Sequence, residues 1–427
     1  MYKVLLIAAL SLLIFQGCST QTTPTAAVEE APMYVDENTL ILFALDAQAQ
    51  NRFAETVGYF DLLYKRTEDP IYRDKAMAAL MHGRYYNDVV SRLETRRSSG
   101  ETLNEQELRY LVLAYLAKKA YVKAESEAQS LVKIRENEEN LVVLAEVYRV
   151  QKDYLKMLAA LERAYQLNYS EDVLDKIVVT LYSNMQKPYE AIGRINAHNR
   201  NLGYSLSLTK RLVLFYRDQG DIQGLLDVYP KLYEMEPTKA HADVIIQLYW
   251  SEQKMPELIA FLEKSHINDE LLLKIYSSQK KFEKAVPLAQ KLYEESGDLE
   301  FLGQKAIFMY ESSKNRGDAK LLDSVIKDLT EVVAVKEEGY YLNYLGYCMI
   351  EHDRNVSKGI TYVKRALETE PDSGYFIDSL AWGYYKEGKC KEADALMQKV
   401  VELLGRDDPE VKAHVNAINK CLKGSKK

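Results

Sequence analysis

The sequence predicts an all-α solenoid, about eleven stacked helix pairs wound as a right-handed superhelix and closed by a C-terminal capping helix. Three observations predict it. A tyrosine recurs at Tyr115, Tyr148, Tyr182, Tyr216, Tyr249, Tyr276, Tyr310 and later Tyr384, the first six gaps being 33, 34, 34, 33, 27 and 34 residues. Around these tyrosines, apolar and small residues return at helical spacing. The composition agrees: 47% hydrophobic and 28% charged, with only 10 Pro and 19 Gly in 427 residues, suits helices better than disorder or a collagen-like chain.

A period of 34 residues with helical patterning is that of tetratricopeptide (TPR) helix-turn-helix units. In such a unit, small residues let helices A and B approach closely, and aromatics fill the space between neighbouring units. In chain order, Ala47, Phe53 and Phe60 sketch one unit, and Ala76, Ala79, Gly83 and Tyr85 the next. Leu108, Leu111, Tyr115, Tyr121 and Ala124 share one register, repeated 33 residues on by Leu144, Ala145, Tyr148, Tyr154 and Ala164. Leu212, Tyr216, Gly220 and Pro237 mark a later unit, and Tyr276, Phe282, Ala285 and Leu292 another. The last is Leu380, Ala381, Tyr384, Gly388, Ala393 and Val400. Pairs are expected to begin near residues 37, 69, 105, 138, 172, 206, 239, 266, 300, 339 and 374, the 300 unit carrying extra residues around Asn315 to Ala319. Pro230 and Pro287 fall inside helix B, where a missing N–H is expected to kink the helix. Asp408-Pro409-Glu410 is a helix start with Pro near the first turn. Val411, Val415, Ile418 and Leu422 then give an apolar stripe that fits a cap over the last exposed face. The recurring tyrosines are expected to be mostly interior packing.

The amino terminus reads as a targeting segment. Lys3 precedes a 12-residue apolar stretch, Val4 to Phe15, too short to span a bilayer core, which needs about 20 residues. Phe15-Gln16-Gly17-Cys18 resembles a bacterial lipobox, with Phe15 where Leu is usual and Gln16 bulkier than typical. The resemblance implies that residues 1–17 are a lipoprotein signal peptide and that Cys18 becomes the lipidated amino terminus. The absence of Asp at position 19 implies, by the same analogy, lipid anchoring in the outer membrane, facing the periplasm. Residues 18–36, rich in Thr, Ala, Pro and Glu, are expected to be a flexible tether with a reach of ~25 Å. Residues 37–405 would form the solenoid, and residues 406–427 the capping helix and a short basic tail.

Net charge is −7. That balance opposes nucleic-acid binding, which draws its affinity from clustered Lys and Arg. The six histidines show no metal-ligand spacing, and no phosphate-binding or nucleophile motif occurs. No cofactor or metal is therefore expected, nor an enzyme. Glu311-Ser312 resembles the start of a lytic transglycosylase motif, but the Gly-Leu-Met-Gln segment expected downstream is missing. Glu311 reads more simply as the solvent-facing end of a helix A.

The concave face of a TPR solenoid is lined by the second, fifth, ninth and twelfth positions of helix A. In the middle units these include Arg149, Lys176, Lys210 and Arg217, a mild basic track. In the last two units they are Tyr340, Asn343, Tyr347, Tyr375, Asp378, Trp382 and Tyr385, expected to form a partner-binding groove. Aromatics with polar tips bury much area at low entropy cost. The alternative is that several only pack between adjacent A helices. Lys176 is followed at the matching position by Thr180, so the Lys-and-Asn pattern of chaperone carboxylate clamps is absent.

Besides Cys18 the chain has Cys348, Cys390 and Cys421. If the last helix B packs antiparallel on the capping helix, Cys390 and Cys421 lie at one level. They are expected either to form a disulfide, closing a 31-residue loop, or to remain two buried thiols.

Leu342-Asn343-Tyr344-Leu345-Gly346-Tyr347, Ala366-Leu367, Pro371-Asp372 and Asp378-Ser379-Leu380-Ala381-Trp382 resemble the carboxy-terminal repeats of proteobacterial outer-membrane TPR lipoproteins, with Ala381 where Gly often precedes the Trp. Asp408-Pro409-Glu410 and His414 continue the likeness, which covers about the last 80 residues. The resemblance implies an envelope scaffold. Its best understood relative is an adaptor that presents cell-wall hydrolases to a carboxy-terminal processing protease. The expected partners are thus a protease, a peptidoglycan hydrolase or a secretion or pilus component, with membrane contact through the lipid alone. The alternative role is an assembly factor for an outer-membrane machine, such as a pilus or secretion secretin or the barrel-insertion complex.

Overall fold

The computed structural model describes residues 35–424; the lipobox, Cys18 and most of the tether lie outside them. Among the described residues all regular structure is helical, in eleven consecutive helix pairs and one final helix. Two compact units divide the chain, one ending at Met235 and the other starting at Glu236. The first holds α1 (Glu37–Ala49), α2 (Phe53–Thr67), α3 (Pro70–His82), α4 (Tyr86–Ser98), α5 (Glu105–Ala117), α6 (Tyr121–Ile134), α7 (Glu138–Gln151), α8 (Tyr154–Asn168), α9 (Glu171–Val179), α10 (Pro188–Leu202), α11 (Leu206–Gln219) and α12 (Ile222–Met235). The second holds α13 (Lys239–Ser251), α14 (Met255–Ser265), α15 (Asp269–Ser278), α16 (Phe282–Ser296), α17 (Leu299–Ser312), α18 (Ala319–Val335), α19 (Gly339–Glu351), α20 (Val356–Thr369), α21 (Gly374–Lys386), α22 (Cys390–Leu404) and α23 (Pro409–Gly424). Helix A of every pair begins within three residues of its sequence-expected start. The chain is a TPR-type repeat fold in each unit, helix B packing on its own helix A and on the next.

Local chemistry fixes these boundaries. Most A helices open on a side chain that accepts from an orphan first-turn N–H. Asp36 caps α1, Asn137 caps α7, Thr238 caps α13 and Asn268 caps α15. Asn104 and Glu107 form a reciprocal capping box at α5, each bonding the other's backbone at 2.9 and 3.0 Å. The A-to-B turns share a second device, one residue in the left-handed region. Asn51, Arg84, Lys119, Lys152, Gln186, Gln253, Lys280 and Asp353 hold it with φ between 52° and 61°, and Gly220 and Gly388 occupy it without steric cost. The α17–α18 connection, where Asn315 to Asp318 intervene, has none.

The core is a run of small and aliphatic residues between the helices. Ala124, Ala128, Ala164, Ala285, Ala289 and Ala393 are fully buried, as the small positions of helix B require. Of the recurring tyrosines, Tyr115, Tyr148, Tyr276 and Tyr310 are buried. Tyr182, Tyr216, Tyr249 and Tyr384 are half-buried. Tyr182 lies in a π-helical turn, Thr180–Asn184, that ends helix A of the fifth pair. The wider turn aims its ring forward, onto Phe215 at 4.0 Å. Helices α12 and α16 run on through Pro230 and Pro287.

After α22 the chain turns at Gly405, and α23 packs on both α22 and α21. Val411 and Ile418 are buried against Ile377, Ala381, Met397 and Val400, so the stripe read from sequence faces the last repeat. Cys390 and Cys421 are joined by a disulfide, their Cα atoms 5.9 Å apart. Cys348 is a buried free thiol, its pKa pushed up to about 12 by burial.

Candidate functional site

The site is assembled by two neighbouring A helices, α19 and α21, and the first turn of α23. On α19, Tyr340, Asn343 and Tyr347 are spaced by three and four residues and so share one face. Tyr375 and Asp378 stand at matching places on α21. Glycine lets the supporting helices meet closely. A Cβ on Gly346 would lie 2.7 Å from the Gly359 carbonyl oxygen of α20, and the reciprocal distance is also 2.7 Å.

These residues line a cavity of about 280 Å³, completed by Tyr344, Phe376 and Ser379, by Glu311 in the last turn of α17 and Arg316 after it, and by Glu410 of α23. Tyr340 and Tyr375 are exposed at 53% and 66%, large rings left open to solvent. The deeper tyrosines are held by carboxylates. The Tyr347 hydroxyl donates to Glu410 at 2.6 Å, and Tyr344 donates to Glu311, which also takes Arg316 at 2.6 Å. Burial first, then these carboxylate partners, push both phenol pKa values up. Asp378, buried, receives the His414 ring: Nδ1 lies 3.0 Å from both carboxylate oxygens. Asn343 Oδ1 is shielded from solvent and accepts no hydrogen bond.

Five of the seven groove residues expected from sequence therefore meet: Tyr340, Asn343, Tyr347, Tyr375 and Asp378. Trp382 and Tyr385 do not line the cavity. The Trp382 indole lies between Tyr385 at 4.6 Å and the His414 ring at 4.1 Å, and its Nε1–H donates to Glu351 at 2.5 Å. The physical reason is the cap: α23 occupies the place a further helix A would take, and His414 covers the indole. Glu311 ends helix A of its pair, as read from sequence, and is half-buried because Tyr344 of the next helix A reaches back to it.

Glu410 and His414 stand four residues apart on α23, and with Asp378 they place ligand-type atoms within 4.8 Å of one another. Sequence spacing did not signal this group, because Asp378 comes from another helix. The remaining lining residues missed by sequence, Tyr344, Phe376, Ser379, Arg316 and Glu410, occupy helix positions outside the concave-face register or lie in a turn and in the cap. Only the Asp408-Pro409-Glu410 helix start hinted at Glu410.

The basic track lies in the first unit and all four of its side chains are exposed. Arg149 is neutralised by Glu146, at 2.6 and 2.7 Å, and Lys176 reaches the Asp172 carbonyl at 3.4 Å. A cavity of about 310 Å³ in that unit instead surrounds Tyr165, whose hydroxyl meets His198 Nδ1 at 2.7 Å. None of the track lines it.

No family model and no curated protein matches the chain. Solved structures do resemble it at low identity. Yeast Tom70 is 11% identical over 91% of this chain and 96% of its own, with a TM-score of 0.33. The Cut9–Hcn1 hetero-tetramer of APC/C gives 9% identity over 91% of this chain and 97% of that one, with a TM-score of 0.37. A Naa15/Naa10 structure bound to HypK-THB gives 12% identity and a TM-score of 0.31, and this chain covers 65% of that one. The TPR assignment rests on the chain's own helix register and packing.

Proposed function

We propose that the protein is a non-enzymatic interaction scaffold, tethered by a lipid on Cys18 to the periplasmic face of the outer membrane. Its partner is an envelope protease or a peptidoglycan hydrolase. The observation that carries the scaffold reading is the cavity between α19, α21 and α23. It holds exposed aromatic rings at its mouth and hydrogen-bonded carboxylates within, on consecutive A helices of a repeat fold. Rigid rings on rigid helices bind without a large ordering cost. The lipobox-like Phe15-Gln16-Gly17-Cys18 supports the anchor, and the carboxy-terminal motifs support the partner class. Anchoring would confine partner and scaffold to one thin layer and raise their effective concentration.

Crosslinked envelopes carrying a tagged full-length chain test this. Recovery of a protease or a peptidoglycan enzyme is the expected result. Recovery of secretin or barrel-insertion components instead, with secretin multimers failing to form in a deletion strain, would transfer the protein to the assembly-factor role. Palmitate labelling lost in Cys18→Ser checks the anchor separately.

A further inference from the structure

Several of the recurring tyrosines have a face covered by one of the chain's own cations. Lys123 sits 5.3 Å over Tyr115, Lys156 5.3 Å over Tyr148, Lys284 5.5 Å over Tyr276, and Arg316 5.1 Å over Tyr310. The first three lysines each stand eight residues after their tyrosine, so these three repeats share the pairing. Tyr340 and Tyr375 carry no such cation and stay open to solvent at the cavity mouth.

The cavity behind them has an unbalanced inventory. Three carboxylates line it, Glu311, Asp378 and Glu410, against one lining cation, Arg316. Arg316 is spent on Glu311, and Asp378 is paired with His414. Glu410 has only the neutral Tyr347 hydroxyl as a side-chain donor. Negative charge is thus in excess, and neither the Tyr340 nor the Tyr375 ring is paired with a cation. An anionic group would be repelled. A group with several N–H donors and a delocalised positive charge satisfies every element at once.

We infer that this cavity receives a cationic side chain, an arginine or lysine, from an extended segment of the partner protein. The inference rests on the scaffold reading and specifies its chemistry. The side chain lies across the rings of Tyr340 and Tyr375 and donates to Glu410. A divalent cation at Asp378, Glu410 and His414 is the competing occupant. It would have to break the 3.0 Å contacts between His414 and Asp378, and it would leave both open rings unused.

Fluorescence anisotropy on the full chain at about 0.15 M salt tests this with three labelled heptapeptides, Gly-Ser-Gly-X-Gly-Ser-Gly, where X is arginine, citrulline or glutamate. Citrulline keeps the shape of arginine and removes the charge. Binding of the arginine peptide at least about tenfold tighter than of the other two is expected. Glu410→Gln should reduce it about tenfold and Tyr375→Ala about threefold. Glu392→Gln, on the exposed side of α22, should leave it unchanged. Both cavity positions are exposed, so these variants keep the wild-type melting curve. Equal binding of the citrulline peptide, or indifference to both cavity variants, overturns the inference. So does stoichiometric binding of Zn²⁺ alone that Glu410→Gln abolishes, which would make the group a metal site. If partner capture from envelopes persists in Glu410→Gln and Tyr375→Ala, the cavity chemistry fails while the scaffold reading stands.

Discussion

At the scale of single residues, the recurring tyrosine is a bolt between neighbouring repeats. Tyr115 donates to Glu94 of the preceding helix B at 2.5 Å, Tyr276 donates to Glu263, and Tyr148 and Tyr216 accept from Gln129 and Asn196. Each ring fills the gap between two units while its hydroxyl finds a partner on the earlier one. Burial, helped at Tyr115 and Tyr276 by a carboxylate, raises the phenol pKa of Tyr115, Tyr276 and Tyr310 above the usual 10.0. A phenol is neutral below its pKa, so the folded state favours the protonated form. That stability is fully present below pH 10 and is lost as the pH rises through the raised values. Absorbance titration of the 32 tyrosines should show a class that ionises only together with loss of helical circular dichroism. Smooth ionisation of all of them in a folded chain would contradict the assignment. Trp382 follows the same logic in the last repeat. Sandwiched by Tyr385 and His414, it is a packing residue for the cap, so Trp382→Ala should destabilise the chain by ~3 kcal/mol. Thermal melting checks this: a shift as small as that of Tyr375→Ala would return Trp382 to the open surface.

At the scale of elements, the sequence told much and left out specific things. Helix starts were legible because a capping residue coincides with the apolar register at most pairs. The turns were less so. Eight A-to-B turns place a non-glycine residue in the left-handed region, which tertiary packing imposes against local preference. Lys152, with φ of 61°, should therefore be improved by Lys152→Gly, a gain of ~0.5–1 kcal/mol read by chemical denaturation; a loss would show that its side chain matters more than its backbone. The π-helical turn at Thr180–Asn184 left no sequence trace, since one inserted residue barely alters a period of 34. The cap is a further element-scale test. The disulfide between Cys390 and Cys421 closes a 31-residue separation, worth ~3–4 kcal/mol on the chain-entropy model. Reductant should lower the melting temperature of the wild-type chain and leave that of Cys390→Ser unmoved. Equal sensitivity of the two proteins would contradict the bond.

At the scale of the whole molecule, the tyrosine period revealed the repeat because one interaction is reused at nearly every unit. The candidate site was half legible for the opposite reason. Tyr340, Asn343, Tyr347, Tyr375 and Asp378 follow from repeat register alone. Glu410 and His414 come from a helix outside the repeat, and Glu311 is enclosed only because Tyr344 of a later helix reaches back to it. No period reports such contacts. The cap thus does two things: it closes the apolar face of the last repeat, and it contributes an acidic wall to the cavity while covering Trp382.

The central claim is that this cavity, and not the outer surface of the repeats, meets the partner. A photo-crosslinking amino acid placed at Tyr375, and separately at Val122, an exposed position of a helix B, tests it in intact cells carrying the full chain. The account predicts a discrete adduct with a protease or peptidoglycan hydrolase from position 375 and none from position 122. Adducts of equal yield from both positions, or an adduct from position 122 alone, would contradict it.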